Sequence, residues 1–261
     1  MINTEALKYI HKALQEPETL LKYTADDFPT VARKGSKPSF CRPTIYDYVA
    51  YEALDIIKEM RSPTPETFFY AGEEYFDLQK FADLDIKCDD SLSLNYNAAK
   101  ILQQMARLRT QAGNDDALLD FELYRLDFVA NKSSQDNKME LMKTTLETLQ
   151  KRFSKSKYKA AIDYTLAQFY YTQVKNVQEF GEGNSSYRSM AHDICSKIVA
   201  DENADKEYKT AAFNLMKLLE EKDFSFNTEE VIQPNANFPV LVNYKNISKL
   251  YVRVAKIDVF S

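Results

Sequence analysis

The chain has no tryptophan, two histidines, three cysteines and five glycines in 261 residues. Each scarcity excludes something. Cys41, Cys88 and Cys195 are far apart and odd in number, so they form neither a disulfide framework nor a set with metal-ligand spacing. They read as buried free thiols. His11 and His192 each fall on an expected helix with no ligand or acid partner close in sequence, and read as partly exposed helix residues. Five Gly and eight Pro are too few for an all-β fold and suit long helices. No apolar run approaches the ~18 residues that span a bilayer. A net charge of −5 provides no basic field, which argues against nucleic acid, because phosphate contacts need clustered Lys and Arg. The start, Met1-Ile-Asn-Thr-Glu, lacks the basic opening and apolar stretch of a signal peptide.

Catalytic and metal motifs are missing as well. There is no His-Glu-x-x-His, no phosphate loop and no Gly-x-Ser-x-Gly elbow; Gly35-Ser-Lys-Pro38 lacks the flanking residues of a phosphate loop. Asp83, Asp85, Asp89 and Asp90 cluster, but without the glycine and final glutamate of a calcium loop, so a solvated acidic loop is expected. Asn131, Asn184 and Asn246 open glycosylation triplets of a length that arises by chance. The spacing defines no catalytic, cofactor-binding or metal-binding residue, and no cofactor is expected.

What is present is helical periodicity over most of the 30.2 kDa chain. A first helix is expected from Thr4 to about Gln15 with Thr4 as its cap, and a short one after Pro17. Residues 33–43 read as a loop. Thr44 caps a helix whose stripe is Ile45, Tyr48, Val49, Ala53, Ile56, Ile57 and Met60, with Asp47 completing a capping box. Ser62-Pro-Thr-Pro65 stops it, and 66–90 is mixed, with a short helix or an extended arm. Further helices are expected at Leu92–Arg109, Asp116–Ala130 and Lys138–Phe153. Short loops between them imply antiparallel neighbours.

A repeat follows. Tyr158-Lys-Ala-Ala161 and Tyr208-Lys-Thr-Ala211 recur 50 residues apart, each early in a helix. The first of these helices is apolar on two faces, Tyr158, Ile162, Leu166 and Phe169 on one and Ala160, Tyr164, Ala167 and Tyr171 on the other. A helix sandwiched in a stack of hairpins needs both. The period exceeds the 34 residues of a tetratricopeptide repeat, and the polar loop Asn176–Ser186 accounts for the excess. The fold class is therefore mainly α, tetratricopeptide-like stacked antiparallel hairpins, with a short C-terminal β segment.

The division expected is a helical unit at 1–222, a linker at 223–237 and, at 238–261, the first strands of a truncated β-sandwich. In that tail Phe238–Tyr244 and Leu250–Ala255 alternate like strands joined through Lys245–Lys249. Two strands make no stable sheet alone, so the chain reads as a fragment.

Three segments carry a family resemblance. Arg42-Pro-Thr-Ile-Tyr-Asp-Tyr-Val-Ala-Tyr-Glu-Ala-Leu54 is similar to a helix built around "LYDFLAHRAL", with Tyr51 where that pattern has His. Ala117-Leu-Leu-Asp-Phe-Glu-Leu-Tyr-Arg-Leu-Asp-Phe128 is similar to "ALLDLDLERLEFL". Asn237–Val254 is similar to a strand, a "YRN" turn and an "LYLRI" strand. In this order they resemble the region preceding the first β-sandwich domains of bacterial α2-macroglobulin-like proteins, especially the Bacteroidetes type. The resemblance implies an exported parent, periplasmic or on the cell surface, several times the length of this chain. It implies protease binding by that parent and contact with its downstream macroglobulin domains. The family's Cys-Gly-Glu-Gln thioester motif is absent here, and the resemblance brings no catalytic residue. The reading from sequence is a non-catalytic scaffold or protein-contact module. The alternative is a tetratricopeptide-like nutrient-uptake lipoprotein that binds glycan or peptide, with Tyr187 and Phe180 facing solvent beside a pocket.

Overall fold

The computed structural model describes residues 2–30, 37–62, 65–176, 183–228, 237–253 and 255. It is mainly helical, with a two-stranded sheet toward the C-terminus. The helices are α1 (Ile2–Ala13), α2 (Pro17–Leu20), α3 (Ile45–Glu59), α4 (Leu78–Asp83), α5 (Leu94–Ala112), α6 (Asp115–Lys132), α7 (Lys138–Arg152), α8 (Lys159–Asn176), α9 (Gly183–Ala200) and α10 (Lys206–Glu220). The strands are β1 (Asp223–Thr228) and β2 (Val240–Lys245).

Local chemistry sets most of these boundaries. Thr44 and Asp47 form the expected capping box of α3: the Thr44 side chain accepts from Asp47 N, and Asp47 accepts from Thr44 N at 2.9 Å. Ser93 and Asn114 cap α5 and α6 without a box, each side chain accepting from the backbone N–H three residues on, of Tyr96 and Ala117. Between these two helices Gly113 closes α5 at φ +66°, a left-handed position that a side chain would strain. α1 begins at Ile2, so Thr4 lies inside the helix rather than capping it.

The helices pair as hairpins α5–α6, α7–α8 and α9–α10, and α6, α8 and α10 touch in succession as one layer. Alternate helices of a hairpin stack run parallel, so the N-terminal ends of α6, α8 and α10 face the same side. α8 is the helix sandwiched between neighbours: it contacts α6, α7, α9 and α10, and Tyr158, Ala160, Ile162, Leu166 and Ala167 are all buried. Two expected features change. α3 buries Tyr46, Ala50, Tyr51, Leu54 and Ile57, while Ile56 faces solvent. Helix α9 starts at Gly183, within the expected polar loop, and residues 177–182 of that loop lie outside the described residues.

The β segment departs most from expectation. Residues 223–228, expected as linker, form β1, and β1 pairs antiparallel with β2, Phe224 opposite Tyr244 and Phe226 opposite Val242. The expected partner, Leu250–Ala255, is not in a strand where described, and Leu250, Tyr251 and Val252 are exposed. Alternation in Asp-Phe-Ser-Phe-Asn-Thr has only two apolar residues, too few to announce a strand. The pairing puts Phe224, Phe226, Thr228, Val240, Val242 and Tyr244 on one face and Asp223, Ser225, Asn227, Leu241, Asn243 and Lys245 on the other, so the first face is mostly apolar and the second polar but for the exposed Leu241. The hairpin is tied to α10 at its open end, where β1 leaves the helix and β2 finishes. Lys245 Nζ donates to Leu218 O at 2.6 Å, and Asn246, at φ 55°, donates its side-chain amide to Leu219 O and Glu221 O at 2.6 and 2.9 Å.

Candidate functional site

The residues flagged by type in the sequence do not converge. His11 is exposed on α1 and lines a shallow cleft of about 330 Å³ with Leu14, Lys100, Gln104 and Arg107. His192 lies elsewhere, on α9, its Nε2 2.7 Å from Glu220 Oε1 on α10. Cys41 and Cys195 are buried and Cys88 is half-buried, all free. Burial, with Asp120 and Asp116 nearby, pushes the Cys41 thiol up to about 12, and burial pushes Cys195 up to about 11. Neither is a thiolate near neutrality.

The acidic residues at 83–90 are engaged locally. Asp83 accepts from Gln79, Asp85 pairs with Lys87 at 2.6 Å and Asp90 accepts from Leu92 N. No group of three or more potential ligands assembles among the described residues. Asn131 bonds to Asp127, and Asn246 holds the end of α10. The side chain of Asn184 lies outside the described residues, as does Phe180. Tyr187 is half-buried and stacks on Tyr170, with ring centroids 5.6 Å apart.

A different set of residues does converge, where the segment 37–43 crosses the N-terminal ends of α6, α8 and α10. The two tyrosines of the sequence repeat meet there. Tyr158 Oη and Tyr208 Oη are 2.7 Å apart, and Lys37 Nζ donates to both, at 2.9 and 3.2 Å. Phe40 packs edge-on against the Tyr158 ring, centroids 6.2 Å apart. Cys41 is fully buried beneath the segment. Arg42 Nε donates to Asp120 Oδ2 of α6 at 3.0 Å, and its guanidinium lies 3.6 Å over the Tyr51 ring of α3. Tyr51 Oη donates to the same carboxylate oxygen at 3.1 Å. Burial disfavours the Arg42 charge, but Asp120, Tyr51 and Asp55 together outweigh it and raise the guanidinium pKa.

Lys37 and Arg42 each precede a proline, which restricts both to extended backbone. Between them Cys41 N donates to Pro38 O at 3.0 Å, closing a turn. The cluster has cations, carboxylates and phenols but no activated nucleophile: the buried phenols of Tyr158 and Tyr51 are shifted upward, chiefly by burial. Sequence reasoning marked Tyr158 and Tyr208 as a repeat, without assigning them to a site. It missed Lys37 and Arg42, whose signal was a cation before proline at both ends of one loop.

A second cleft, of about 520 Å³, lies beside this cluster, lined by Gly113–Asp116 and by Arg152, Phe153, Lys155, Ser156 and Lys157. Asp116 Oδ1 closes its base by accepting from Ser156 Oγ and Lys157 N at 2.6 and 3.0 Å. Among the described residues no helix is long and apolar enough to cross a membrane. No family model, curated protein or solved structure matches the chain.

Proposed function

We propose that this chain is a non-catalytic scaffold and protein-contact module of an exported α2-macroglobulin-like protein whose parent binds proteases. The observation that carries this reading is the amphipathic hairpin. Phe224, Phe226, Val240 and Tyr244 are 51%, 65%, 48% and 69% exposed on one face of a sheet too small to stand alone. A sheet with one apolar face needs a second layer, and a β-sandwich supplies it. Two of the segments that resemble the family fall on α3 and α6. They pack together through Tyr51 and Tyr124, with Tyr124 Oη donating to Asp55 at 2.8 Å. The nutrient-uptake alternative expects Tyr187 beside a pocket. Tyr187 lines neither described cleft, and Phe180 lies outside the described residues.

The test is an immunoblot of the fractionated native cell with an antibody raised against the helical body. The expected result is a periplasmic or surface polypeptide several times 30.2 kDa that co-purifies with added protease. A cytoplasmic band at 30.2 kDa would overturn the proposal.

A further inference from the structure

The segment 37–43 has the features of a bound ligand. Its two ends are anchored by cations, Lys37 on the repeat tyrosines of α8 and α10 and Arg42 on Asp120 of α6. Between them, Phe40 meets an aromatic wall and Cys41 inserts fully into the core. The segment is preorganised by a proline after each anchor and by the Cys41–Pro38 turn. The surface beneath it is built from three hairpins by residues far apart in sequence and close in space.

We infer that the N-terminal ends of α6, α8 and α10 form a docking surface for a peptide turn flanked by two cations, and that residues 37–43 occupy it as an intramolecular ligand. The partner is a protein segment of the same chemistry: Lys or Arg, proline, a turn carrying an aromatic residue, then a second cation. It gains access when the strap lifts. The inference rests on the reading of the chain as a protein-contact module and names its partner. The cell fractionation above tests the parent; the peptide assay below tests the surface, so either can fail alone.

Two steps test it on the full chain. The first asks what holds the strap. In Lys37→Ala/Arg42→Ala, labelling of the Cys41 thiol, assigned by mass spectrometry, is expected to accelerate about tenfold or more, the factor that losing one charge-assisted hydrogen bond implies. Tyr158→Phe/Tyr208→Phe keeps both rings, removes the acceptors of Lys37 and is expected to accelerate labelling in the same direction. Unchanged labelling in folded samples of both variants would mean that the cations do not hold the strap, and would overturn the proposal. The second step adds a fluorescent peptide spanning Lys37–Pro43 with Ser for Cys41. The expected result is binding to Lys37→Ala/Arg42→Ala and not to the unaltered chain, lost when the peptide's own Lys and Arg are replaced by Ala. Peptide binding to neither protein, or equally to both, with Cys41 labelling accelerated, would overturn the docking surface.

Discussion

The two halves of the helical body bury different things. Among the described residues eleven polar and charged residues are buried; ten run from Asp47 to Ser133, and one, Asp163, lies beyond. The reason is the backbone each half must accommodate. In the first half the stretch 65–92, helical only in short pieces such as α4, packs on the core and presents carbonyls to buried side chains. Buried side chains of α5 and α6, with their flanks, take them. Asn95 donates to Phe68 O, Gln103 to Phe81 O and Leu84 O, Ser133 to Tyr70 O, and Arg125 to Tyr75 O and Phe76 O. In the second half the described core is built of Leu, Ile, Ala and Tyr, with Phe153 and Cys195. Buried polarity here tracks non-helical backbone rather than chemistry.

The largest effect that comparison anticipates is at Arg125. Arg125→Met leaves Glu122 buried without its partner and frees the carbonyls of Tyr75 and Phe76. Loss of one partner of such a pair should cost about 3–5 kcal/mol in urea unfolding. A loss under about 1 kcal/mol would mean that the polar half is not held by its side chains. In the apolar half the matching substitution is Leu166→Ala. Leu166 is 2% exposed in the sandwiched helix, and the loss should be roughly 2–5 kcal/mol. An effect within about 0.5 kcal/mol would place it on the surface and remove the stacked-hairpin reading.

Glu66 gives a smaller, pH-dependent contrast. Its carboxylate accepts from Ser93 Oγ and from the N–H groups of Thr67, Phe68 and Asn95. Burial works to raise its pKa, and these hydrogen bonds outweigh burial and lower it. A folded-state pKa below the unfolded one means stability that is present above the unfolded value and lost as pH falls through the folded value. Glu66→Gln should therefore cost about 1 kcal/mol at neutral pH, with the difference closing in acid. An unchanged difference at low pH would assign the effect to packing. The smallest effect is expected from truncation after Lys222. The hairpin meets α10 through Lys245 and Asn246, so helical circular dichroism should persist and the melting temperature should hold within a few degrees. Unfolding of the helices would put the sheet inside the helical unit.

The same contrast explains what was legible in the sequence. The box Thr44–Asp47, the helices from α5 to α7 and the two-faced α8 follow from periodicity and caps, which act over a few residues. The path of 65–92 depends on Asn95, Gln103 and Arg125, which on a sequence pattern look like solvent-facing helix residues. The strand β1 was missed because its two phenylalanines gain meaning only opposite Val242 and Tyr244. In the converging site the tyrosine repeat could be read directly. Its partners could not, because Lys37 lies 121 and 171 residues from the hydroxyls it joins.

The amide of Asn246 takes two carbonyls from the last turn of α10, and its backbone, turned to φ 55°, is what brings that amide within reach. In free energy this contact is minor. In mechanics it is a splint: it resists swivel between helix and sheet, so anything that grips the hairpin inherits a fixed heading relative to the helical stack. A pull on the sheet would be felt first at Leu219 and Glu221, as a tug unwinding α10 from its C-terminal end.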